Sequence, residues 1–64
     1  MQDRTGYKLN IGTIVRVFNE PSIPDSDTWV FHDFIEMGVH TYYFFRNCFT
    51  NEIRIFDPKN IERI

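Results

Sequence analysis

The chain has one cysteine, three glycines and three prolines in 64 residues, no excess of basic charge and no long apolar run. Each shortage removes a class of explanation. A single thiol, Cys48, forms no disulfide within the chain and excludes zinc sites built from several thiolates. It suits a reducing compartment, so a cytoplasmic location is expected. Seven Lys and Arg against nine Asp and Glu leave a net charge of −2, whereas proteins that grip nucleic acid by its phosphates usually carry a basic excess. Gly6, Gly12 and Gly38 stand alone, which leaves no glycine-rich loop to cradle a phosphate. No stretch reaches the length of a bilayer crossing. Met1-Gln2-Asp3-Arg4-Thr5-Gly6 lacks the apolar segment of a signal peptide, and no membrane association is expected.

What the chain does have is rings: one Trp, three Tyr and seven Phe. Between Trp29 and Phe49 they occupy both parities. Trp29, Phe31, Tyr43, Phe45 and Phe49 are odd, while Phe34, Tyr42 and Phe44 are even. Successive residues of a β-strand point to opposite faces, so the segment reads as apolar on both sides. A domain of this size has one interior and buries only about 60% of the surface its unfolded chain exposes. The second apolar face is therefore expected to line a ligand groove, to meet a partner chain, or to be wrapped inward by strong curvature.

Residues 1–8 read as a loose tail anchored by Tyr7, and residues 9–64 as a single domain. The β-branched stretch Thr13 to Phe18 predicts a first strand, with Gly12 marking a bulge or sharp bend before it. Asn19 to Thr28 is a long acidic loop holding Pro21 and Pro24, a pattern that excludes a central strand. Trp29 to Met37 and Val39 to Arg46 predict two strands joined at Gly38. A two-residue and a three-residue turn pair these strands with opposite parities, so the register stays open. Asn47 to Asn51 predicts a second turn, and Glu52 to Phe56 a fourth strand with Ile53 and Ile55 on one face. Asp57-Pro58 is a helix start, a capping carboxylate before a residue that fits the first turn. Either Ile61 and Ile64 share a side of that short helix, or Ile61 opens a closing strand.

Two stretches resemble a known group. Gly12-Thr13-Ile14-Val15-Arg16-Val17 looks like the glycine-led opening strand of KOW and bacterial SH3 domains. Phe56-Asp57-Pro58-Lys59-Asn60-Ile61-Glu62-Arg63-Ile64 is similar to the closing segment of SH3 domains, where a helical turn feeds the last strand. The resemblance implies an all-β, SH3-like small barrel of about five strands, with one helical turn near Pro58. Ile61 stands where signalling SH3 domains carry a groove tyrosine, and Thr13 to Phe18 lacks their tyrosine-rich signature. The resemblance thus implies the barrel rather than binding of proline-rich ligands.

His32, Asp33, Glu36 and His40 are the clustered metal-capable residues, but on a strand His32 and Asp33 point to opposite faces and their spacing matches no established ligand set. Cys48 with His32 or His40 is too loose a pairing to define a nucleophile and its base. No enzyme activity, metal or cofactor is expected. The expected function is a non-enzymatic protein-interaction module, or a small accessory or inhibitor protein of the kind carried by phages. Its partner-binding residues are expected in the acidic loop, at Glu20, Asp25 and Asp27, and among the rings Trp29, Phe31, Tyr42, Tyr43 and Phe44. Exposed rings would equally serve self-association. The alternative is a nucleic-acid-binding barrel that stacks bases on Tyr42 or Phe44, which requires Lys8, Arg16, Arg46 and Arg54 to gather on one surface.

Overall fold

In the computed structural model, which describes residues 1–64, Val15 and Val17 point inward while Ile14 and Arg16 point out. That alternation makes Ile14–Val17 a half-buried strand, β1. Strands β2 (Trp29–Met37), β3 (His40–Asn47), β4 (Ile53–Ile55) and β5 (Ile61–Arg63) follow. They form one antiparallel sheet in the order β4-β3-β2-β1-β5. The fold is all-β, as expected, with a single helical turn. Asp57 caps that turn, a 3₁₀ helix at Pro58–Asn60, by accepting from Lys59 N at 2.9 Å. Of the two expectations for the C-terminus, the closing strand is the one that forms: Ile61 opens β5 and pairs with Val17. No helix is long and apolar enough to cross a membrane.

Met37 pairs with His40, so the β2–β3 turn consists of Gly38 and Val39. Gly38 has φ +62° and Val39 has no positive φ, the pattern of a type II′ turn with glycine at its first central position. That settles the register at the turn. Further along, Phe31 pairs with Phe45 but Asp33 pairs with Phe44, leaving His32 unpaired in a β-bulge. A bulge reverses the parity of one strand against its neighbour. On β2 the core side is therefore odd before His32 (Trp29, Phe31) and even after it (Phe34, Glu36). This bulge accounts for rings at both parities on β2.

The core comprises Leu9, Val15, Val17, Ile23, Trp29, Phe31, Phe45, Phe56 and Ile61. Trp29 meets Phe56 edge to face at 4.9 Å, and Phe45 lies 5.5 Å from Phe31 and 5.7 Å from Phe56, separations at which ring pairs attract. The acidic loop turns twice, through Ile23 N to Glu20 O and Asp27 N to Pro24 O, and lays Ile23 into the core. It thus closes over one end of the sheet's inner side. Gly12, at φ +98°, sits in a turn closed by Thr13 N to Asn10 O at 3.0 Å, the bend expected before β1.

The expected loose tail is instead stitched to the sheet. Arg4 N bonds to Ile61 O, Leu9 N to Met1 O, and Gln2 bridges to Lys8. Asp3 is buried, and its carboxylate accepts from Thr5 N, Thr5 Oγ1, Tyr7 N and, sixty residues away, Arg63 N. Desolvation pushes its pKa up, but these hydrogen bonds outweigh that and hold it at about 2, below the ordinary 3.8.

Candidate protein-docking surfaces

β1 pairs with β2 only at Trp29 and Val30, and β4 pairs with β3 only from Phe44 to Arg46. Beyond those points β2 and β3 run on as a two-stranded arm in which every residue from His32 to Tyr42 is exposed. A lone two-stranded hairpin is marginal in water, and this one carries Phe34, Ile35, Met37, Val39 and Tyr42 into solvent. Phe34 sits across from Tyr43 on the core side, with ring centroids 6.4 Å apart. Tyr42 and His40 lie on the outer side, 6.4 Å apart.

On the core side the arm forms one wall of an open groove of about 400 Å³. Phe31, Phe34 and Tyr43 line the sheet wall, Met1, Leu9 and Ile11 line the opposite wall, and Glu36 supplies the only charged side chain. No strand pairs with β2 beyond Phe31 on the side away from β3, so main-chain groups along this edge are open to an added strand.

The expected composite of acidic loop and rings is not assembled. Trp29 is 1% exposed and Phe31 is 3% exposed, so both are core rings, with only Phe31 meeting the groove, at its sheet wall. Their burial follows from the strand beginning over the closed end of the sheet. Asp27 accepts from Asn47 Nδ2 at 3.0 Å. Asn47 Oδ1 in turn accepts from Phe49 N and Thr50 N, so Asp27 helps hold the β3–β4 turn. Glu20 and Asp25 border a shallow polar recess with Pro21 and Pro24. The loop precedes β2 and the arm ends it, eight residue steps or about 26 Å apart. Of the remaining rings, Tyr43 faces the groove, while Tyr42 and Phe44 lie on the outer side.

Metal-capable side chains do not converge: no three of His, Cys, Asp and Glu could share an ion. Cys48 is an exposed free thiol. The basic residues expected to gather do not. Arg16 and Arg46 lie on the outer side, while Arg54 lies on the inner side, where it pairs with Glu52 at 3.1 Å and reaches Ser22. Three arginines lie near Phe18 and Tyr7. Arg4 stacks on the Phe18 ring at 4.6 Å and Arg63 on the Tyr7 ring at 4.0 Å, and Arg16 and Arg63 border a recess with Phe18, Glu62 and Ile64. Three separate segments supply these arginines, so nothing local in the sequence marks them.

No protein-family model, no curated protein and no solved structure matches the chain.

Proposed function

We propose that the chain is a non-enzymatic protein-interaction module with an SH3-like barrel architecture, acting in a reducing compartment such as the cytoplasm. Support for the architecture is the strand order, with β5 returning to β1 directly after the 3₁₀ turn. The observation that carries the functional reading is the exposed apolar arm beside the groove, which together offer rings, aliphatic surface and an unpaired strand edge. The partner suited to it is an extended protein segment that adds as a strand to β2, places apolar side chains against Phe34 and Tyr43, and sets a basic residue near Glu36. A domain that offers one such groove suits an accessory or inhibitor role, including one of phage type.

Selection from a random peptide library tests this reading. Recovered peptides are expected to combine alternating apolar residues with a basic residue, and Phe34→Ala and Tyr43→Ala should each weaken their binding by about tenfold or more. Peptides that bind both variants as well as the unmodified chain would refute the groove as the site.

One observation favours a second reading, nucleic-acid binding: Arg4 stacks on Phe18 and Arg63 on Tyr7, with Arg16 bordering the recess beside Phe18. It requires retention on single-stranded DNA or RNA at low salt that falls steeply as salt rises. No retention at low salt eliminates it.

A further inference from the structure

We propose that the outer side of the sheet is the interface of a symmetric homodimer. All five strands contribute to this side. Ile64, just past β5, bonds through its N–H to Ile14 O; Ile14 lies opposite Val30, Val30 opposite Arg46, and Arg46 opposite Ile53. Phe44 pairs with Ile55 in the next row, and Ile35 with Tyr42 beyond it. Ile14, Ile35, Tyr42, Ile53, Ile55 and Ile64 are all exposed, as is Met37 at the arm's end, while Val30 among them is buried and Phe44 and Arg46 are half-buried.

Area and composition together identify the occupant as a second copy. The seven exposed residues are each between 39% and 62% exposed, an accessible surface on the order of 600 Å², at the top of the roughly 300–600 Å² range for the largest patch on a typical monomer and most of the roughly 800 Å² that each partner contributes to a stable interface. Five of the seven are isoleucine. Homodimer interfaces are more apolar than those of transient complexes, whose hot spots favour Trp, Tyr and Arg. The strands place two acids, Asp33 and Glu62, and two bases, Arg16 and Arg46, on this side, so two identical faces meet with balanced charge. Two sheets stacked on these sides about 10 Å apart make a sandwich. The second copy then covers apolar surface that the single small core leaves open. The interface is on the opposite side of the sheet from the peptide groove and does not depend on it.

Light scattering and sedimentation across a dilution series decide the matter. The unmodified chain is expected at twice its 7.7 kDa mass at tens of micromolar, and to dissociate on dilution. Ile55→Asp and Ile53→Asp each change a solvent-exposed position on an edge strand. Each is expected to weaken the dimer by about 100-fold, because the change enters a two-fold interface twice. Far-UV circular dichroism and cooperative unfolding of the monomer should be retained, and Ile35→Lys replaces any variant that fails to fold. A 7.7 kDa particle at about 100 µM, a concentration at which even micromolar dimers form, overturns the proposal. So does a dimer whose affinity none of these substitutions moves. Phe34→Ala, on the groove side, is expected to leave the dimer intact.

Discussion

Trp29→Ala is expected to leave the domain largely unfolded at room temperature. The indole is 1% exposed and stands edge to face on Phe56 in the centre of the core. Removing a buried Trp side chain costs about 3–5 kcal/mol, and a 64-residue domain has only about 3–10 kcal/mol to lose. The indole N–H is buried without a hydrogen-bond partner, itself a destabilising feature. Trp29→Phe keeps a ring and removes that orphaned donor, so it should cost far less, about 1–2 kcal/mol. Urea unfolding followed by circular dichroism compares the two, since Trp29 is the chain's only tryptophan and its fluorescence is lost in both. Equal losses would contradict the core assignment.

Asp3→Ala is expected to have the second-largest effect, and one that depends on pH. The carboxylate joins the N-terminal segment to β5 through four hydrogen bonds. The substitution leaves the N–H groups of Thr5, Tyr7 and Arg63 without their acceptor, at a cost of about 1–3 kcal/mol. Because the folded-state pKa is about 2 against an ordinary 3.8, the ionised carboxylate stabilises the fold fully above pH 3.8. That contribution, on the order of 1–2 kcal/mol where solvent screens part of the interaction, is lost as pH falls through 2. The stability gap between the unmodified chain and Asp3→Ala should therefore be constant from pH 7 to pH 5 and narrow below pH 4. A gap that does not change on acidification would show that the carboxylate's charge contributes nothing.

These two residues mark where sequence reasoning reached and where it stopped. Strand positions, the loop of Asn19 to Thr28 and the Asp57-Pro58 cap were legible because each depends on neighbours within a few residues. Gly38 located the hairpin, but the turn length, and so the pairing, required the partner strand. The bulge at His32 carries no glycine or proline to announce it, yet it decides which rings enter the core and which remain outside. Asp3 looked like part of a polar tail because its decisive partner, Arg63 N, is sixty residues away. Trp29 next to an acidic loop suggested a surface anchor, whereas the strand carries it inward immediately. Excess rings beyond one interior were readable from composition. Their division among core, groove and outer face was not.

That division rests on the bulge, and proton NMR measures it directly. Nuclear Overhauser contacts are expected from the Phe34 ring to the Tyr43 ring, together with contacts from Phe31 to Phe45 and from Ile35 to Tyr42. Contacts from Phe34 to Tyr42 in place of Tyr43 would mean an unbroken register, with Phe34 turned to the outer side and the groove and dimer face both drawn wrongly.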